Sequence, residues 1–384
     1  MRCCNADTTI IPMNAAIPIL PQLGVLQAAS LFHRSSRPSS KRLARKITII
    51  LLALTVILSL CACGAKEQQN PTPVDAGNAE SATQTNETVV TGGKTADPTR
   101  TTERKATTAF NFDTKTVSLN SGYEMPILGI GCYRLSNEQA ENSVYWALRR
   151  GYRLTDTARI YGNEEGVGRG IRKAIDEGIV KREDIFVTTK MWTSDFGNGA
   201  AAINASLSRL GLDYIDLMIL HHSQPSNDVQ AYQAMEKAVS EGKLRSIGLS
   251  NYYTPEDFDR LVSAKTIRPA LLQNETHPYH QSTEMKEHLL QYGTVMESWF
   301  PLGGRGNTQT LFNDETISGI AAAHGKTSAQ IILRWHLQAG NIAIPGSSNE
   351  AHIAENYDIF DFALSDGEMA SMTALDKNQR FANY

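Results

Sequence analysis

The chain has 384 residues, 41% of them hydrophobic and 20% charged, with a formal net charge of −3. That is the composition of a globular protein without a basic excess, which excludes nucleic acid as a partner. The average conceals a division between residues 1–109 and residues 110–384.

Residues 1–40 carry Cys3, Cys4 and scattered prolines without any period, and they fit neither a signal nor a domain. A start codon placed too far upstream explains them as well as any function. Residues 41–46, KRLARK, bring four positive charges and lead into ITIILLALTVILSLCA, an uncharged apolar run from Ile47 to Ala62. Its sixteen residues are short for a membrane span and suit the core of a signal peptide. The run closes in LCAC, with Leu60 and Ala62 three and one residues before Cys63. This resembles the bacterial lipobox. The resemblance implies cleavage before Cys63, lipidation of that cysteine, and a tether on the outer face of the cytoplasmic membrane. A plain transmembrane anchor is the alternative, and a cytoplasmic location follows if the signal is unused. Residues 64–108 hold no aromatic residue and are rich in Thr, Ala, Asn, Gln and Pro. Such a segment cannot bury enough apolar surface to offset its ordering entropy and is expected to be a disordered tether. The expected division is thus 1–62 leader and signal, 63–109 linker, and 110–384 folded domain.

Within the folded part, FNFDTKTVSLNSGYEMP predicts a small hairpin. Strand-like runs then follow at 127–132, 152–156, 185–190, 214–221, 244–250, 270–275, 294–300 and 341–345. Amphipathic stretches such as NEQAENSVYWALRRG and NDVQAYQAMEKAVSEGK lie between them, opening on Asn and ending near Gly. Strands interleaved with helices imply a parallel sheet, and eight such units favour an α/β fold closed as a (β/α)8 TIM barrel. A doubly wound sheet would want a Gly-rich fingerprint after its first strand, and GIGCYR lacks it. Cys132 is the one cysteine of this part, so no disulfide forms within it. No metal site is expected.

Catalytic groups of such barrels sit at the C-terminal ends of strands. Three successive strands end in titratable residues, Asp156, Lys190 and His221, and Tyr161 follows the first of them in its loop. A lysine closing an apolar strand needs a carboxylate partner, and Asp156 supplies it. The ammonium is expected to lower the Tyr161 phenol from about 10 towards working pH. Tyr161 then serves as general acid for an oxygen becoming an alkoxide, with a neutral His221 donating to the same oxygen.

LNSGYEMPILGIG, GYRLTDTARIYGNEEGVGRGI, DIFVTTKMW, LGLDYIDLMILHH, GKLRSIGLSNY, QNETHPY and IPGSSNEAHIAEN together resemble the aldo-keto reductases across residues 110–384. The resemblance implies an Asp156, Tyr161, Lys190, His221 tetrad and reduction of a small aldehyde or ketone by a nicotinamide dinucleotide laid across the barrel mouth. It gives the cofactor Ser250, Asn251 and Gln273 at the carboxamide, with Leu272 where an Asn is common. It further places Trp299 on the nicotinamide face, Pro301, Leu302 and Gly303 along the pyrophosphate, Ser347 and Ser348 at a 2′-phosphate, and Glu355 and Asn356 at the adenine. The family's usual Lys and Arg for that phosphate are replaced here by Gly346 and His352. The amides opening the helix at Asn349 are expected to receive the phosphate instead. NADPH is therefore expected first, with NADH a rival. Trp192 and His222 are expected at the substrate, together with the loops WTSDF and GGRGNTQTLF. A monomer is expected. The competing reading is a membrane-tethered barrel without catalysis, acting as a binding or scaffold lipoprotein.

Overall fold

The computed structural model describes residues 109–382 apart from Ala264. The leader, Cys63 and the linker up to residue 108 lie outside the described residues. Two short strands, β1 (Thr116–Ser118) and β2 (Glu124–Pro126), pair antiparallel as the expected hairpin.

Eight parallel strands follow: β3 (Gly129–Gly131), β4 (Leu154–Asp156), β5 (Phe186–Met191), β6 (Ile215–Leu220), β7 (Leu244–Ser250), β8 (Leu271–Glu275), β9 (Val295–Trp299) and β10 (Asn341–Ala343). Each pairs with its sequence neighbour, and bridges between Leu128 and Ala343 and between Gly131 and Gly346 join the two ends. This is a (β/α)8 barrel. At that seam the backbones lie very close. A Cβ on Gly131 would meet the Ile344 carbonyl oxygen at 2.7 Å, and one on Gly346 would meet that of Gly131 at 2.9 Å. Glycine is what both strands can hold there.

The helices fill the connections. After β3 to β8 come, in turn, α1 (Asn137–Arg150), α2 (Glu164–Asp176), α3 (Gly199–Leu210), α4 (Asp228–Ser240), α5 (Pro255–Val262) and α6 (Thr283–Leu289). β9 is followed by α7 (Thr308–Phe312), α8 (Glu315–His324) and α9 (Ser328–Gln338), and β10 by α10 (Glu350–Tyr357) and α11 (Asp366–Thr373). The cap of α1 is Ser136 rather than the expected Asn137. Its side chain accepts from the Gln139 amide, while the Gln139 side chain returns the bond.

Strands β5 and β6 are buried at every position, because helices cover one face and the barrel interior the other. Leu217, Ile219, Val187 and Ile247 belong to that main core, and each such side chain contributes about 1.5–3 kcal/mol by leaving water. A second cluster joins Tyr279, Leu311, Ile317, Trp335, Leu364 and Met372, with Phe381 packed against it. It gives the C-terminal tail an apolar surface to lie on.

Candidate active site

Strand β4 ends on Asp156, and a 3-10 turn over Arg159–Tyr161 carries the phenol back over the barrel mouth. Asn163 fixes this loop, donating from Nδ2 to the carbonyls of Cys132 and Leu135 and accepting from Thr157 Oγ1. Lys190 enters from β5 with no exposed surface. Its ammonium donates to Asp156 Oδ1 at 2.5 Å, to the Thr157 carbonyl at 2.8 Å and to Tyr161 Oη at 3.4 Å. Three donors thus meet three acceptors, which makes so deep a charge tolerable. Burial opposes that charge, but Asp156 and then Tyr161 raise the lysine above its ordinary value.

The phenol departs from expectation. Its ring is half-buried, yet burial pushes its pKa up to about 12, against the pull of Lys190. Tyr161 therefore holds its proton throughout the physiological range. That suits the donor role, since an alkoxide is a far stronger base than a phenolate. Lys190 acts on the phenolate formed when the proton leaves. His221 lies 5.7 Å from the Tyr161 ring, centroid to centroid. Burial, Lys190 and His222 together lower it to about 2, so it stays neutral, as expected.

Aromatic rings wall the space above. Trp192 meets His221 and His222 edge-on, and the two histidine rings stack at 5.1 Å. Tyr133 packs on Tyr161 at 4.9 Å and on Phe300 at 5.9 Å. Tyr133 and Phe300 escaped the sequence reading, although Tyr133 follows a strand end and so met the rule used for its neighbours. The WTSDF loop is only partly as expected. Phe196 is fully buried and belongs to the core, as does Leu311 of the other loop.

A sequence model of the Aldo/keto reductase family matches residues 127–377. The chain belongs to the aldo-keto reductase family. Curated relatives include the NAD(P)H-dependent D-xylose reductase I,II of Candida tropicalis, 38% identical over 304 residues, covering 69% of this chain and 94% of the relative. Morphine 6-dehydrogenase of Pseudomonas putida is 42% identical over 279 residues, covering 69% and 92%. Among solved structures, a Bombyx mori aldo-keto reductase in complex with NADP aligns with a TM-score of 0.66 at 36% identity, covering 70% of this chain and 94% of that one. The chain is accordingly an enzyme, an NAD(P)H-dependent aldo-keto reductase.

The positions matched to the nicotinamide end come together around this reductase's β7–β9 strand ends. Asn251 holds a left-handed backbone, φ 62°, which Asn tolerates. Its side chain is wholly engaged by the protein. Nδ2 donates to the His221 carbonyl and to Ser250 Oγ, while Oδ1 accepts from Tyr253 Oη and Trp299 Nε1. Asn251 thus ties the histidine to the tryptophan at the place where the carboxamide is expected. Buried Ser250 keeps its hydroxyl proton, since Oγ only accepts from Asn251. Gln273 gives its Nε2 to Asp156 Oδ2 at 2.9 Å and to Glu297 Oε1 at 3.2 Å. A hydroxyl donor and an amide oxygen acceptor are what a carboxamide requires, so these residues fit the nicotinamide. Leu272 is buried in the core.

The tail closes on the same neighbourhood. Arg380 donates to Glu275 and lies 3.8 Å over the Tyr253 ring, and Phe381 stacks on His277. Burial alone would raise the Glu275 acid, but bonds from His277, the Phe381 amide and Arg380 hold it below the usual value.

The remaining matched positions lie further along. Pro301 accepts at its carbonyl from His336, and Gly303 closes a turn onto the Phe300 carbonyl at φ 82°. Leu302 is half-buried against the core. Ser348 is exposed, and Ser347 Oγ accepts from the Asn349 amide. At the expected phosphate seat on α10, Asn349 Oδ1 accepts from the amides of Ala351 and His352 as the helix cap. Glu355 accepts from Thr327 Oγ1, and Asn356 is buried.

Glu297 is the residue that the sequence reading missed outright. A carboxylate inside the buried run TVMESW was itself the signal.

Proposed function

We propose that this aldo-keto reductase converts small, polar aldehydes and ketones to alcohols with NADPH or NADH, and that it works as a monomer. The observation that carries the reading is the fully buried Lys190 bonded to both Asp156 and Tyr161, with a neutral His221 beside the same phenol. When bound, the dinucleotide supplies the hydride. The substrate carbonyl lies between Tyr161 Oη and His221, whose hydrogen bonds polarise it and fix its orientation. As charge gathers on the oxygen, Tyr161 passes its proton across. Lys190, itself neutralised by Asp156, stabilises the phenolate left behind. The walls of Trp192, His222, Tyr133 and Phe300 exclude water and suit a flat or short carbonyl compound.

For the second half of the cofactor, a 2′-phosphate finds Gly346 and His352 in place of two cations and helix amides already capped by Asn349. With neither cation present to favour the phosphate, NADPH and NADH then serve with efficiencies within about tenfold of each other, a difference of about 1.4 kcal/mol. NADPH oxidation over a panel of small aldehydes, hydroxyaldehydes and diketones tests the activity. Failure of every member would remove the reading.

The lipobox-like LCAC motif supports a further element, attachment of the enzyme through Cys63 to the outer face of the membrane. Fractionation of cells making the parent and a Cys63→Ala form tests it. Recovery of the parent solely in the soluble cytosol would exclude the anchor.

A further inference from the structure

Gln273 and Glu297 face each other in register on β8 and β9, and both are buried. Glu297 has no exposed surface, and its Oε2 has no hydrogen-bond partner. Catalysis as described above makes no use of this carboxyl. Burial, then Asp156, push the acid well above the usual carboxylate range, against the pull of Lys190. Its retention in a barrel interior calls for a task, because an apolar side chain would be easier to bury.

Gln273 supplies one. A side-chain amide can turn about its last bond, exchanging an acceptor for a donor at little cost unless neighbours decide. Asp156 Oδ2 accepts only, since its partner oxygen is bound to the Lys190 ammonium. That bond engages one hydrogen of Nε2, and Glu297 Oε1 accepts from the same nitrogen. Both carboxyl groups therefore hold the nitrogen, and no described group donates to Oε1 of Gln273. The geometry points to Glu297 as a positioning residue that, together with Asp156, holds the Gln273 amide nitrogen and leaves its oxygen for the cofactor, so that the site reads the amide N–H of the nicotinamide carboxamide. Ser250 Oγ supplies the complementary donor for the carboxamide oxygen.

This assignment rests on the proposed cofactor use, and its test separates the two. The full chain is titrated by calorimetry with NADPH and with the reduced 3-acetylpyridine analogue, in which a methyl group replaces the amide nitrogen. The unsubstituted protein should bind NADPH about 3- to 10-fold more tightly, the worth of one hydrogen bond. Glu297→Met keeps the volume and removes one of the two acceptors that hold the nitrogen, and it should lower that ratio. Glu297→Gln retains an acceptor oxygen and should restore it. A purely structural role for Glu297 would weaken both dinucleotides together and leave the ratio unchanged. In the unsubstituted protein the side-chain amide protons of Gln273, followed by NMR with 15N-glutamine, should exchange slowly with solvent. A Glu297→Met ratio equal to the parent's would overturn the assignment, as would fast exchange of both protons if the variant does not fold. Binding of neither dinucleotide by the parent would overturn the cofactor reading along with it.

Discussion

Asp156→Asn changes one atom type and removes the charge that allows Lys190 to be buried. The lysine has no exposed surface, and its other acceptors, the Thr157 carbonyl and Tyr161 Oη, are neutral. An Asn can still accept through Oδ1, but its amide then faces Gln273 Nε2, donor against donor, where Asp156 Oδ2 accepts at 2.9 Å. Breaking one side of a buried ion pair costs about 3–5 kcal/mol, and urea denaturation should show a loss of that size with an unchanged slope. Activity should fall more steeply. With the lysine shifted towards its neutral form, the phenolate of Tyr161 loses its cation, and kcat should drop by about 10²- to 10⁴-fold, the usual worth of a positioned proton donor. A double substitution, Asp156→Leu with Lys190→Met, separates the two effects. It should recover most of the stability, because apolar groups need no partner, and none of the activity. The reasoning is refuted if Asp156→Asn unfolds within about 0.5 kcal/mol of the parent, or if the double variant regains turnover.

Tyr161→Phe should lose about 10²- to 10⁴-fold in kcat while the dissociation constant for NADPH, measured by calorimetry, stays where it was; a parent-like rate would remove the phenol from the reaction. His352→Arg restores one cation near the 2′-phosphate and should raise the NADPH-over-NADH ratio of kcat/KM by about 2- to 10-fold. Gly346→Lys is the poorer probe, since its Cβ would press on the Gly131 carbonyl oxygen at 2.9 Å. His221 and His336 are held neutral, at about 2 and about 3, by burial foremost. The unfolded chain takes up protons at both below about pH 6.5, so their contribution is whole above that value and is lost as pH falls towards the folded values. Each should remove about 1.4 kcal/mol per pH unit across that window. His336→Gln should flatten the acid limb of the stability profile by that amount, and an unaltered slope would contradict the assignment.

Much of the fold was legible because it is written in local period and in chain order. Eight apolar runs spaced by amphipathic helices leave little choice but a parallel barrel. The strand-end rule then selects Asp156, Lys190 and His221 without knowledge of a single contact. The expected strand runs contain every observed strand of the barrel except Met191 at the end of β5, one residue past the expected 185–190. The hairpin, too, lies where the turn residues put it.

Other features depend on groups that meet through space, and no local pattern encodes them. The sequence suggests that Lys190 makes Tyr161 more acidic, but burial outweighs the cation and raises the phenol above its ordinary value. Asn349 caps α10 with its own side chain at the place where an anion seat is expected. Gln273 reaches Asp156 across 117 positions of sequence. Asn251, a cofactor ligand by resemblance, is also held by His221 and Trp299, which come from two other strand ends. The sequence by itself determined the barrel, the four side chains proposed for catalysis and the carbonyl chemistry, since these follow from hydrophobic period and from residue type at and just beyond strand ends. Tertiary structure decided protonation and which face of each polar group is left for a ligand, because desolvation and hydrogen-bond saturation are set by neighbours distant in the chain.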